Sequence, residues 1–506
     1  MVADKNTHPV LESCQSPYGD VANSAVIHED GSTLQADVVI VGCGAAGLYA
    51  ALYLPTSMSI VLLSKGAIDE CDSMLAQGGI CVLPEEGDYQ TFFADTLAAG
   101  HYENRRESVD IMIRSSRSAI NDLVALGCDF ERDGKGMLAF TREGAHSRPR
   151  ICYHADTTGK EITTTLLAAV RRLPNVRILD HVAMVDILTK EPGCQEDRTQ
   201  GSHEACLGVR AVRVDEKDST LPADELLDTS DFFEIRAENT LLATGGIGGV
   251  YEHSTNFPQL TGDACYVAYT HGVALEHLDY VQVHPTGLFS ARPGRTFLIS
   301  ESCRGEGAVL LDHECRRFVD ELQPRDVVSA AISSRMKEEG VPHEWLSFAP
   351  VDREVICGHF ANIRNRCLED GRDIVCEPIP VVPTQHYFMG GVHVDRDGAT
   401  TMPHLYAAGE TCCNGVHGKN RLASNSLLEA LVFARRAAYR INTGLSLPVE
   451  VAGSPALDGR HRPVSAIPVA IDELCGQDKT VAVGEGLIFG EAPVDINMIC
   501  NEALEQ

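Results

Sequence analysis

Ala36-Asp37-Val38-Val39-Ile40-Val41 runs straight into Gly42-Cys43-Gly44-Ala45-Ala46-Gly47. The first six residues end in four consecutive β-branched side chains and read as a strand buried on both faces, as in a parallel sheet. A Gly-x-Gly-x-x-Gly turn follows at once, then an apolar helical stretch from Leu48 to Leu54 and a second strand, Ser59-Ile60-Val61-Leu62-Leu63-Ser64. This is a βαβ unit of the length that holds a dinucleotide. The first glycine permits the tight turn, the second lets a pyrophosphate approach the backbone, and the third lets helix and strand pack closely. A plain turn of small residues matches the same pattern, but the flanking strand and helix favour dinucleotide binding. The acidic residue that would hold ribose hydroxyls in an NAD site is missing, and Ser64-Lys65 stands in its place. That weakens an NAD reading and is compatible with a flavin dinucleotide held by other contacts.

The bulk composition narrows the class. The 506 residues are 44% hydrophobic and 23% charged, which suits a globular chain with a sizeable core and about three domains of ordinary size. A net charge of −30, from 42 basic and 72 acidic residues, argues against nucleic acid as a partner. It permits an anionic small substrate, because a few arginines dominate a closed site. No apolar run reaches the length of about 18 residues that a transmembrane helix needs. The opening Met1-Val2-Ala3-Asp4-Lys5 lacks an apolar signal core, so a cytoplasmic location is expected. The 18 cysteines include no Cys-x-x-Cys. They read as reduced thiols, with no iron–sulfur or zinc site expected and no metal ligand assigned.

The expected fold class is α/β: a Rossmann-like dinucleotide-binding domain interrupted by an inserted α+β capping domain. Residues 1–35 are polar and unpatterned and read as a flexible leader. The dinucleotide-binding domain is expected over 36–264 and again over 380–441, with the cap over 265–379 and a divergent tail over 442–506. The acidic stretch 191–231 reads mostly as a surface insertion or hairpin. Thr240-Leu241-Leu242-Ala243-Thr244 reads as a further strand, Leu405-Tyr406-Ala407-Ala408-Gly409-Glu410 resumes the buried strand pattern, and a helix is expected from Ser426 to about Tyr439. The tail shows Pro, Val and Gly punctuation without a sustained helical period.

Further motifs line up in order: Ala76-Gln77-Gly78-Gly79-Ile80, Ala243-Thr244-Gly245-Gly246, Gly262-Asp263, His284-Pro285-Thr286, Arg304-Gly305-Glu306-Gly307-Ala308, Pro324-Arg325-Asp326-Val327-Val328 and Ala408-Gly409-Glu410. With the glycine loop and the stretch from Val416 to Leu427, they resemble the flavoprotein family that contains succinate dehydrogenase, fumarate reductase and L-aspartate oxidase, over about residues 36–440. Thr141-Arg142-Glu143-Gly144-Ala145-His146-Ser147 and Pro380-Val381-Val382-Pro383-Thr384-Gln385-His386-Tyr387 resemble the aspartate oxidase branch. The family's Gly-Gly in the first of these is Gly144-Ala145 here. A C-terminal helical bundle, common in the family, is not legible in 442–506.

The resemblance implies FAD as cofactor. Members that bind it covalently carry a histidine five residues before the glutamine of Ala-Gln-Gly-Gly; Asp72 stands there, so non-covalent FAD is expected. It implies oxidation of L-aspartate to iminoaspartate, with electrons passed to oxygen or to fumarate. That is the first step of de novo NAD biosynthesis, and the imine goes on to quinolinate synthase. The alternatives are a soluble fumarate reductase or succinate dehydrogenase flavoprotein, and a non-catalytic flavin or dicarboxylate binder. FAD contacts are implied at Gly42, Cys43, Gly44, Ala45, Ala46, Gly47 and Lys65, at Asp72, Ser73, Met74, Leu75, Ala76, Gln77, Gly78 and Gly79, and at Asp263, Glu410, Ser426 and Leu427. The last two open a helix whose amides would face the electron-rich flavin edge.

Taking a hydride from a dicarboxylate requires a substrate fixed against the flavin, partners for both carboxylates and a group that manages the proton on the neighbouring atom. By resemblance Arg421 is a carboxylate clamp with His284 and His386 beside it, and Ser300-Glu301 occupies a Thr-Glu pair that contacts substrate. Arg325 matches a proton-shuttling arginine, although residue chemistry alone reads it as a second clamp. Glu143 would face the substrate ammonium; by composition alone it is a surface glutamate.

Overall fold

The computed structural model describes residues 28–30, 33–189, 204–227, 232–292, 294–449 and 487–488. The expected leader lies largely outside the described residues, as does most of the tail expected from 442. Within the leader stretch, His28–Asp30 pairs antiparallel with residues 33–35.

The main sheet is built on β1 (Thr33–Val41), β2 (Ile60–Leu63), β3 (Val176–Leu179), β4 (Val182–Ile187), β5 (Gly208–Arg213), β6 (Phe232–Leu242) and β7 (Leu405–Ala407). β1 lies at its centre, parallel to β2 on one side and β6 on the other, and β3 extends the parallel order beyond β2. The second half of β6 pairs in parallel with β7, while its first half pairs antiparallel with β5, which pairs with β4. Successive residues of β1 feed opposite faces. Val38 and Ile40 join one core with Leu48 of helix α1 (Ala45–Tyr53) and Leu431 of helix α2 (Ser426–Thr443). Val39 and Val41 join a second core with Leu63, Leu242 and Val267. An apolar run without alternation is what a strand covered on both faces requires.

Across 191–231, expected as a surface insertion or hairpin, β5 pairs antiparallel with both of its neighbours in sequence, as a hairpin does, but it is an inner strand of the main sheet and not a surface element. Val209 and Ala211 are fully buried between two neighbouring strands. Arg210 and Arg213 stand three apart with Ala211 and Val212 buried between them, so the short strand lacks a period-two pattern, and the polar, acidic sequence around it hid its place in the sheet.

The cap is an antiparallel sheet in the order Val281–Leu288, Ile379–Phe388, Glu344–Ser347, Val309–Leu311. The helix Arg325–Glu339 packs on it through Val328 and Ile332, and a third core gathers Leu288, Leu310, Leu346 and Val381. The helix Asp263–Thr270 and Leu275 pack into the second core instead. Among the described residues no helix is long and apolar enough to cross a membrane.

The glycine loop shows why its spacing is fixed. Gly42 sits at φ 120°, and a Cβ there would lie 2.0 Å from the Ala243 carbonyl oxygen; a Cβ on Gly47 would lie 2.0 Å from the Gly42 carbonyl oxygen. Strand, strand and helix therefore meet in backbone contact. A Cβ on Gly44 would meet only the Ser73 hydroxyl, at 3.3 Å, so the fold itself makes little demand there. Gly42→Ala is expected to destabilise the apoprotein by about 3 kcal/mol or more, and Gly44→Ala by about 1 kcal/mol or less. Denaturant unfolding of the two variants reads the contrast, and equal losses would contradict this account of the loop.

Candidate active site

A long cleft opens above the carboxyl ends of β1 and β6, between the main sheet and the cap. It is lined by Gly42 to Ala46, Lys65, Asp72 to Gly79, Asp263, Glu410, Ser426 and Leu427. Of the cofactor contacts expected from sequence, only Gly47 is set back from the lining, beneath the turn. Lys65, where an acid would stand in an NAD site, places Nζ 2.7 Å from Asp263 Oδ2 and 2.7 Å from Thr261 Oγ1. The Ser73 hydroxyl accepts from the Ala45 N–H at 3.0 Å. Asn425, which precedes α2, makes no side-chain cap, so the first-turn amides at Ser426 and Leu427 are available to a ligand.

The residues fit a flavin dinucleotide. The space over Gly44 is open, and the buried Asp72 Oδ2 has no hydrogen-bond partner although Oδ1 accepts from Phe257 N–H at 2.9 Å. Burial pushes the Asp72 carboxyl up to about 7. Burial and the charge of Asp72 push Glu410 up to about 8. Two carboxyls facing one cleft are suited to hydroxyl and ring N–H donors.

The far end of the same cleft gathers Glu143, His284, Ser300, Glu301, Arg325, His386 and Arg421. His284 Nδ1 accepts from Thr286 N–H at 3.2 Å, while the buried Nε2 has no partner. The proton therefore sits on Nε2, a donor without an acceptor. His386 stands beside it, ring centroids 5.4 Å apart, with Nδ1 2.8 Å from Thr255 Oγ1. Burial and the neighbouring arginines hold both imidazoles well below their ordinary range, so both are neutral.

Arg421 lies with its guanidinium carbon 4.6 Å from the centre of the Tyr387 ring, and its Nε has no partner. Burial and the charge of Arg325 bring its guanidinium down to about 10. Arg325, the first residue of its helix, donates Nε–H to Glu301 Oε2 at 2.6 Å and Nη1–H to Gln282 Oε1 at 3.0 Å. Arg304 lies 3.8 Å from Glu301 Oε1. Burial opposes ionisation of Glu301, but Arg325 and Arg304 outweigh it and hold the carboxyl below its ordinary range. Ser300 caps the short helix that bears Glu301, accepting from Ser302 N–H. Arg325 and Arg421 line this end of the cleft, with Arg304 buried behind Glu301, so the guanidiniums favour an anion there.

Glu143 Oε2 accepts from the Ser424 hydroxyl at 2.6 Å, and a Cβ on Gly78 would come within 2.2 Å of Oε1. Burial, reinforced by the charge of Glu301, raises its pKa, so an ammonium group is the partner it lacks. The loop that carries it is fixed from behind. His146 Nε2–H donates to the Ala423 carbonyl at 3.0 Å, which leaves Nδ1 to accept from Arg150 Nη1 at 3.0 Å. Arg150, fully buried, pairs with Asp88 at 2.8 Å and Asp95 at 2.6 Å, and Asp95 also accepts from Ser147 N–H and Oγ–H. Ala145 and Ser424 hold left-handed φ of 63° and 61°.

Sequence reasoning did not single out Gln282, Arg304, Asp88, Asp95 or Arg150. Gln282 and Arg304 lie within or beside motifs that were quoted and were open to recognition. The Arg150 network joins acids and a base 55 and 62 positions apart, and no local pattern marks such a pairing.

Two predictions follow from this loop. Gly suits a left-handed residue better than Ala, so Ala145→Gly should stabilise the protein by about 0.5–1 kcal/mol; chemical unfolding showing no gain would contradict it. Burial, with the Arg150 charge opposed to a second ring proton, pushes His146 down to about 4. An unfolded imidazole takes up its proton near pH 6.5, the folded one only near 4, so lowering the pH through that window favours unfolding by up to about 3 kcal/mol. His284, His386 and His417 shift in the same direction. Unfolding measured from pH 7 to 5 should show His146→Gln with about one proton less uptake than the parent, and an identical slope would sink the assignment.

Comparison with known proteins agrees with this geometry. The FAD binding domain family matches residues 37–427. The L-aspartate oxidase of Clostridium perfringens is 45% identical over 87% of this chain and 94% of its own length. That of Clostridium acetobutylicum is 41% identical over 82% and 89%. Among solved structures, a mutant of E. coli quinol fumarate reductase FrdA superposes with a TM-score of 0.71 at 30% identity, covering 82% of this chain and 72% of that one. Mycobacterium smegmatis Sdh1 gives 0.67 at 28% identity, over 81% and 69%. By these matches, this chain belongs to the FAD-binding flavoprotein family of succinate dehydrogenase and fumarate reductase, in its L-aspartate oxidase branch.

Proposed function

We propose that this chain uses FAD to oxidise L-aspartate to iminoaspartate, with oxygen or fumarate as the electron acceptor. The observation that carries the reading is Glu143, a partly buried carboxylate held by Ser424 at the wall of a pocket otherwise dominated by arginine. A dicarboxylate satisfies the guanidiniums, and an amino group on it satisfies Glu143. The bound flavin supplies the hydride acceptor. It is held non-covalently, since Asp72 stands where covalent members have histidine.

Arg421, His284 through Nε2–H, and His386 bind and orient the substrate carboxylates. Arg325 manages the proton on the atom next to the oxidised carbon, which is nitrogen in aspartate and carbon in succinate. The Arg304, Glu301 and Arg325 side chains form a line of groups along which that proton can leave or return. Glu143 fixes the ammonium and repels an extra acid group. The product imine is short-lived in water and passes to quinolinate synthase, which places the reaction at the start of NAD biosynthesis in the cytoplasm.

The test is anaerobic mixing of the FAD-loaded protein with L-aspartate and, separately, with succinate, following the flavin absorbance. Bleaching by aspartate and not by succinate is expected. Bleaching by succinate alone would move the chain to the fumarate–succinate branch, which the structural likeness to fumarate reductase keeps in view. Bleaching by neither would leave a non-catalytic binder. Glu143→Gln should lower kcat/KM for aspartate about 100-fold or more, near 2.7 kcal/mol, with fumarate reduction changed less than about tenfold; equal losses would overturn the role given to Glu143.

A further inference from the structure

Away from the cleft, on the edge of the cap, three side chains from separate elements converge. His313 lies in the turn after the strand Val309–Leu311, Glu339 ends the helix Arg325–Glu339, and Glu344 opens the strand Glu344–Ser347. One ligand atom from each lies within 4.8 Å of the other two. Glu344 is the unusual member. It is fully buried, and neither of its carboxylate oxygens has a hydrogen-bond partner. Burying a carboxylate without donors is costly, and a second carboxylate alongside makes it more so.

Three further features suit a cation there. The His343 carbonyl lies 3.0 Å from His313 Nε2; a proton held on Nε2 leaves Nδ1 with its lone pair, the arrangement in which imidazole ligands are oriented by a backbone carbonyl. Glu339 is the last residue of a helix that ends at a left-handed Gly340, where the helix dipole favours positive charge. The nearest competing cation, Arg335, reaches Glu339 only at 3.9 Å and bonds Glu338 at 3.3 Å, and it makes no ion pair with Glu344.

We infer that His313, Glu339 and Glu344 form a divalent-cation site in the cap. One imidazole and two carboxylates are a donor set for an ion such as Mn²⁺ or Zn²⁺. Donors of a tetrahedral ion stand about 3.4 Å apart. His313 is exposed and Glu339 is at a helix end, so small rotations of these two close the set around the fixed Glu344. The ion pins the turn, the helix end and the strand together. The pinned helix is the one whose first residue is Arg325, about 21 Å away along its axis. The role is therefore structural, and it stands whether or not aspartate is the substrate.

Mn²⁺ is the probe to use, because it disfavours the many thiols of this chain. The full-length, FAD-loaded protein, stripped with a chelator and titrated with Mn²⁺, is followed by loss of the free-ion electron paramagnetic resonance signal. One equivalent bound in the micromolar range is expected. Glu344→Gln, which removes a buried charge and keeps the shape, and His313→Asn, at an exposed position, should each weaken it at least tenfold. Circular dichroism confirms that both variants are folded. No stoichiometric binding by the parent, or unchanged binding in both variants, overturns the site.

Discussion

Everything in this fold is placed from one backbone crossing. Gly42 touches the Ala243 carbonyl, and Gly47 touches the Gly42 carbonyl, so β1, β6 and α1 meet with no side chain between them. That contact sets the helix N-terminus against the sheet edge and opens the space above Gly44. β6 continues through Ala243 to Gly245 and Gly246, beside Glu410, and the cap enters later along Val281–Leu288. The glycines leave little freedom here: widen the crossing by one methyl and the carboxyl ends of both strands shift together.

The second organising constraint is charge in a poorly solvated place. Arg304, Arg325 and Arg421 converge with Glu301 and Glu143, and removing such groups from water penalises each charged form. The shifts form one pattern. Both histidines are driven neutral, Arg421 is brought down, and Glu301 stays ionised because two guanidiniums face it. Glu143, a hydroxyl its one donor, is raised instead. A ligand that brings two carboxylates and an amino group meets the guanidiniums and Glu143 together.

How much of this was legible in sequence follows from which interactions are local. β1 announced itself because a strand buried on both faces has no polar residues to interrupt it, and the glycine spacing is the geometry of the crossing written out. The place of β5 in the main sheet was hidden because six residues without a period-two pattern, set between polar stretches, carry little signal. The pocket residues were legible only through motifs; nothing in the spacing of Arg325, Arg421 and Glu143 says that they meet. The Arg150 network lay beyond reach for the same reason, since a base and two acids far apart in the chain are paired by the fold alone. Ala145 shows the opposite case. The departure from the family's Gly-Gly was visible in sequence, and its meaning came only with the left-handed φ that Ala145 adopts where glycine would be unstrained.

Gly78 ties the two halves of the site together. It belongs to the Ala-Gln-Gly-Gly turn on the cofactor side, yet the group that most closely approaches its missing side chain is the Glu143 carboxylate. That carboxylate cannot simply swing aside, because Ser424 grips its other oxygen and the loop behind it is anchored through His146 to Arg150, Asp88 and Asp95. A larger residue at 78 would therefore displace the group that selects the amine before it disturbed the sheet. The turn that cradles the flavin and the loop that chooses the substrate are in this sense one packing unit. Substrate preference within this architecture is decided behind the pocket wall as much as on it.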